Sequence, residues 1–92
     1  MQFEWDEAKN TENVRKHRID FADVPVMFDG PMLIELDERM DYGEERWSGI
    51  GFLRHRVAVV VWTERQNDVV RIISARKANQ YEQTRFTQYL TY

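Results

Sequence analysis

The stretch Arg56–Arg76, RVAVVVWTERQNDVVRIISAR, constrains the fold more than any other part of the chain. It reads as two long strands joined by the short polar turn Gln66-Asn67-Asp68. Val57–Trp62 is the longest apolar run in the sequence, which predicts a strand buried at the centre of a sheet. Charges in a core hairpin belong at its ends. Glu64, Arg65, Arg71 and Arg76 therefore mark a candidate polar site at one end of the sheet.

Ninety-two residues bury only ~60–65% of the surface exposed by the unfolded chain, so one domain spanning residues 1–92 with one modest core is expected. The 13% aromatic content helps, because few large side chains can fill such a core. There is no cysteine, which removes disulfides, thiolate metal sites and cysteine nucleophiles and is compatible with a reducing cytoplasm. The amino terminus, MQFEWDEAKN, lacks the charged and apolar regions of a signal peptide. The longest apolar run falls far short of the ~20 residues of a membrane helix. A cytoplasmic protein without membrane contact is expected.

The net charge of −3 argues against a polyanion as partner, but its distribution does not. Residues 1–45 carry five Lys and Arg against thirteen Asp and Glu, a balance of −8. Residues 46–92 carry eight against three, a balance of +5. The halves either neutralise each other across the surface or leave a basic face on an acidic protein.

In chain order, Gln2–Trp5 alternates as a short edge strand. Asp6 is placed to cap a helix over Glu7–His17, with Lys9, Asn13, Lys16 and His17 near one another on its surface. Asp20 is placed to cap a second helix, Phe21–Phe28, which Pro25 should shorten or kink. Asp29-Gly30-Pro31 ends it. Strands follow at Met32–Leu36 and Arg46–Leu53, separated by the acidic loop Asp37–Glu45. Gly49 and Gly51 inside the second of these strands signal a bulge or a close approach. After the hairpin, Lys77–Tyr89 reads as a helix. The order is β-α-α-β-β-β-β-α, and the short links between consecutive strands predict an antiparallel sheet flanked by helices, an α+β fold.

Several residues have the chemistry to act. His17, at a helix carboxyl end, either hydrogen-bonds the last carbonyls or binds phosphate and moves a proton. Arg65, Arg71 and Arg76 either grip phosphate with their planar forks or form cross-strand ion pairs. On a regular strand Arg71 and Arg76 face opposite ways, so a bend near Ser74-Ala75 is needed to unite them. Glu64 is either a general base or the orienting partner of an arginine. The acidic loop lacks calcium-loop spacing, neither histidine has a second ligand at metal spacing, and no phosphate or dinucleotide fingerprint or nucleophile elbow occurs. No metal or cofactor is implied.

Four segments carry a resemblance beyond this reading: FEWDEAKNTENVRKHRIDFADVPVMF at Phe3–Phe28, GEERW at Gly43–Trp47, VVWTER at Val60–Arg65 and RIISARKA at Arg71–Ala78. In this order, followed by a helix with Glu82 and Arg85, the chain resembles BrnT-type toxins. The resemblance implies the toxin of a bacterial type II toxin–antitoxin pair, a fold similar to RelE-type ribonucleases, and RNA cleavage that halts translation. It also implies neutralisation by a BrnA-type antitoxin with a ribbon-helix-helix domain, through which the pair contacts operator DNA. One departure stands out: the family continues its Lys-His pair with glycine, and here Arg18 follows His17. If that position needs positive φ, Arg18 costs ~1 kcal/mol.

The chemistry implied is metal-independent. The RNA 2′-OH attacks the adjacent phosphate, and the protein supplies a base, an acid and stabilisation of the phosphorane. Arg65 and Arg76 are assigned to the phosphate, Glu64 or His17 to the base, and Lys9, Lys16, Arg71, Lys77 and Arg85 to flanking phosphates. The alternative is a non-catalytic module that binds antitoxin or nucleic acid.

Overall fold

The apolar run Val57–Trp62 lies at the centre of a five-stranded sheet in the computed structural model, which describes residues 1–39, 41 and 43–91. Met40 and Tyr42 of the acidic loop, and Tyr92, lie outside the described residues. The strands are β1 (Gln2–Trp5), β2 (Met32–Leu36), β3 (Trp47–Leu53), β4 (Arg56–Arg65) and β5 (Val69–Lys77), in the spatial order β1-β5-β4-β3-β2. Strand β4 is covered on both faces. Ala58, Val60 and Trp62 face one core with Phe21, Val24 and Met27, and Val59 faces a second with Ile50, Ala78 and Phe86. The β4–β5 turn has positive φ at Asn67 and Asp68, the backbone a tight hairpin requires.

The sheet is mixed, which corrects the expected antiparallel arrangement. Strands β2 to β5 form an antiparallel meander, but β1 pairs parallel with β5, from Gln2 opposite Val69 to Trp5 opposite Ile72. The chain leaves β1, crosses the sheet through the two helical segments, and returns strand by strand until β5 lies beside β1. A contact so distant in sequence leaves no local pattern to read.

Helix α1 (Glu7–His17) starts where Asp6 accepts hydrogen bonds from the Ala8 and Lys9 amides, at 2.8 and 3.2 Å. Its docked face is not apolar. Asn10 and Asn13 are its buried residues. Strand β1 stops pairing at Ile72, so β5 has an open edge beyond it. Asn13 closes that edge: its side chain donates to the Ala75 carbonyl at 2.8 Å and accepts from the Ala75 amide at 3.1 Å. It also donates to the Ile19 carbonyl at 2.9 Å. Asn10 accepts from the Phe21 amide and donates to the Asp20 carboxylate, each at 2.9 Å. Asn13 is therefore a buried docking residue, not a member of the surface group expected for it.

The segment Phe21–Asp29 is a 3₁₀ helix. Pro25 lacks an N–H and its ring opposes the carbonyl four residues earlier, which disfavours an α-helix here. Helix α2 covers Gln80–Thr91, starting later than expected because β5 runs on to Lys77. Asn79 and Glu82 cap it reciprocally: the Glu82 amide donates to the Asn79 side chain at 2.8 Å and the Asn79 amide to Glu82 at 2.9 Å. Gly49 and Gly51 mark a close approach, as a Cβ there would stand 2.5 and 2.7 Å from atoms of the Met32 side chain.

Candidate active site

Alternation along β4 and β5 decides which charges meet. Opposite Val61 and Trp62 the register slips, Val61 facing Ser74 and Trp62 facing Ile72, so Ile73 is an extra residue in β5. The bulge flips the alternation. Arg71, Ser74 and Arg76 lie opposite Thr63, Val61 and Val59, and so share one face of the sheet. The bend exists, one residue before the expected place, and turns Arg71 and Arg76 to one face, but Arg71 lies beside Glu4 and does not line the cavity of Arg76.

On that face a polar cavity of about 330 Å³ opens beside α2, lined by Arg76, Arg85, Glu82, Glu35, Arg39 and Ser74 among others. Arg76 points its fork at Glu82, with bonds of 2.8 and 2.7 Å. Arg85 reaches across to Glu35 at 2.6 Å and lies over the Tyr81 ring. Hydrogen bonding from Arg76 holds the Glu82 carboxyl below the usual carboxylate range, and the same pair raises the pKa of Arg76. Four carboxylates and three guanidiniums line this cavity. It positions arginines without a net positive field.

The positive charge lies next door. Along the β5 edge a second cavity of about 230 Å³ is lined by Lys9, Lys16 and His17 of α1, with Glu12 and Asn13, and by Ile73 and Ser74 of β5. Ser74 lines both cavities. The structure thus brings His17, Lys9 and Lys16 to the strand that carries Arg76, because Asn13 ties α1 to that edge.

Glu64 and Arg65 do not join them. Arg65 pairs with Val69 at the turn, whereas Arg76 pairs with Val59. At ~3.3 Å per residue the two arginines stand roughly 20 Å apart along the sheet. This corrects the expected convergence at one sheet end. Arg65 and Arg71 instead share Glu4, at 3.5 and 2.6 Å. Glu64 lines a separate cleft with Glu44, Glu45, Trp47, Thr63 and Arg65. Lys77 is exposed at the end of β5, opposite Ala58.

Sequence reasoning missed Ser74, Glu35 and Arg39 as cavity residues. The reciprocal cap was legible as Asn79-x-x-Glu82 before an aromatic-rich helix, and would have fixed where Glu82 sits relative to Arg76.

The family model described as "Ribonuclease toxin, BrnT, of type II toxin-antitoxin system" matches residues 5–82, from the end of β1 into the first turn of α2. The chain belongs to the BrnT toxin family. The match contains every candidate residue above except Arg85. The fold is similar to the 1.1 Å crystal structure of the Brucella abortus ribonuclease toxin BrnT, with a TM-score of 0.66 and 25% sequence identity over 87% of this chain and 99% of that one. No curated protein sequence matches the chain. Family membership makes this chain a ribonuclease toxin of a type II toxin–antitoxin system, which implies an RNA substrate and an antitoxin partner. No helix among the described residues is long and apolar enough to cross a membrane.

Within this BrnT chain, the Arg76–Glu82 pair predicts a measurable acid dependence. Because the folded-state pKa of Glu82 is depressed, its contribution to stability is fully present above the unfolded value and is lost as pH falls through the folded one. Glu82→Gln keeps an acceptor for the Asn79 amide but removes the charge. The expected loss is about 1 kcal/mol near neutral pH, since Arg76 is partly solvated and screened. Urea unfolding at a series of pH values should show the two proteins converging below pH 4.5, the ordinary value for this group. A gap that stays constant with pH would mean that the charge of Glu82 contributes nothing.

Proposed function

We propose that the chain cleaves RNA without a metal cofactor, at the junction of the two cavities that meet at Ser74. His17 takes the proton from the RNA 2′-OH. The resulting alkoxide attacks the adjacent phosphorus, the bond to O5′ breaks, and the leaving O5′ takes up a proton from the His17 imidazolium, which returns to its neutral form. A 2′,3′-cyclic phosphate and a 5′-hydroxyl result. Arg76, held by Glu82 through one edge of its guanidinium, donates its remaining N–H groups to the phosphorane, whose negative charge grows in the transition state. Lys9 and Lys16 hold the phosphate beside His17. Arg71, Arg65, Lys77 and Arg85 serve phosphates farther along the strand, and Glu64 is left outside the reacting centre. The observation that carries this reading is the shared lining by Ser74 of the Arg76 cavity and the Lys9–Lys16–His17 cavity.

The same proposal takes residues 1–92 as one RelE-like toxin domain acting in the cytoplasm. Its antitoxin is a BrnA-type ribbon-helix-helix protein, through which alone the pair contacts operator DNA. The runner-up, a non-catalytic binding module, draws on the carboxylate partners that Arg76 and Arg85 already have. The deciding experiment is incubation of purified protein with ribosome-free RNA in excess EDTA. Cleavage leaving cyclic phosphate ends is expected from the wild type and not from His17→Ala. Cleavage that appears only when a divalent metal is restored would overturn the metal-independent mechanism.

A further inference from the structure

A third cavity, of about 270 Å³, opens where β3 turns into β4, lined by Arg18, Asp23, Arg54, His55 and Arg56 over the apolar floor of Ile19 and Leu53. Two of its arginines occupy unfavourable backbone. Arg18, the residue after α1, has φ 59, and Arg54, in the β3–β4 turn, has φ 58. Glycine takes this left-handed conformation without penalty, and other residues do not. Backbone strain at two separate loops, with both side chains lining one cavity, points to a use for those side chains.

The charge is one-sided. Three arginines and a histidine meet one carboxylate, Asp23, which contacts Arg54 at 3.0 Å between two exposed groups. Arg56 contributes only a marginal bond to the Arg18 carbonyl, at 3.5 Å, so its fork is weakly committed. The cavity also continues the basic surface already described. Arg18 directly follows His17, which lines the edge cavity with Lys9 and Lys16, and that cavity shares Ser74 with the one holding Arg76. A chain of phosphates with regular spacing matches such a series better than an isolated anion does.

We infer that this terminal cavity binds a backbone phosphate of single-stranded RNA away from the cleaved one, with Arg18, Arg54 and Arg56 as its ligands. The inference deepens the ribonuclease reading and rests on it for the identity of the polymer. Arginine is suited to the task because its fork donates in pairs to phosphate oxygens and stays charged.

The test is the double variant Arg18→Gly/Arg54→Gly. Glycine relieves the strain at both positions, so the variant should melt no lower than the wild type and a loss of binding cannot be blamed on misfolding. The probe is a short fluorescein-labelled RNA with 2′-O-methyl groups throughout, which binds but cannot undergo 2′-OH attack. Affinity is followed by anisotropy across a salt series. Each single-strand phosphate contact contributes ~0.7 to the slope of log affinity against log salt, so losing this one should lower the slope by about 0.7 and weaken binding about 5-fold near 0.1 M salt. Arg46→Gln, which removes a charge outside the cavity, should change binding far less. A double variant that binds like the wild type overturns the site, and so does a wild type that fails to bind. Cleavage of unmodified RNA is scored separately. Loss of affinity in the variant without cleavage by the wild type would keep the phosphate site and sink the cleavage mechanism proposed above. Cleavage with unchanged affinity would do the reverse.

Discussion

Asn13→Ala is expected to lower the unfolding free energy by about 3–4 kcal/mol, the largest loss from any single polar side chain here. Asn13 is 6% exposed and serves three backbone groups at once: the Ala75 amide, the Ala75 carbonyl and the Ile19 carbonyl. Each buried backbone group left without a partner costs ~1–3 kcal/mol, and a small domain has only about 5–15 kcal/mol in all. Asn13→Asp should be nearly as harmful. It keeps an acceptor for the Ala75 amide but turns an oxygen toward two carbonyls that previously received N–H donors. Urea unfolding checks both variants. A loss under about 1 kcal/mol would mean that water replaces the side chain at the β5 edge. The change also bears on function, because α1 carries Lys9, Lys16 and His17 and is held to β5 through this residue.

Arg76→Ala should reduce RNA cleavage by about 10²–10³-fold while the protein stays folded, the usual loss when one preorganised donor to a developing oxyanion is removed. The stability cost should be modest, about 1 kcal/mol, because the Arg76–Glu82 pair is partly exposed. Arg76→Lys keeps the charge without the two-pronged donor and should recover only part of the rate. Arg65→Ala is the informative contrast. Standing roughly 20 Å away along β4 and β5, it should weaken RNA binding and leave the rate at saturating RNA nearly unchanged. Equal losses in both variants would put the reacting centre somewhere between them. An unchanged rate in Arg76→Ala would remove Arg76 from the site.

Local chemistry made much of the scaffold legible. The valine run announced the central strand, Gln66-Asn67-Asp68 its turn, Asp6 and Asp20 the starts of their helical segments, and Pro25 the distortion of the second segment, because each of these signals acts within a few residues of itself. The boundary at Lys77 is not legible in the sequence, because Arg76 and Lys77 suit a strand end or a helix start equally well, and only pairing with β4 decides between them.

What the sequence determined by itself is the set of elements and the stock of chemical groups: a hairpin core, a basic second half, and a family signature that reads as a ribonuclease toxin. What only the tertiary structure decided is which of those groups stand together. The bulge at Ile73 turns Arg71 and Arg76 to one face, the parallel pairing of β1 leaves the rest of the β5 edge for Asn13 to close, and that closure sets His17 beside Ser74. The same register carries Arg65 away from Arg76. The physical reason is that strand register and edge closure arise from hydrogen bonds between residues far apart in sequence, as from the Gln2 amide to the Asp68 carbonyl and from the Ala75 amide to Asn13, 62 positions apart, and no pattern within one segment encodes them.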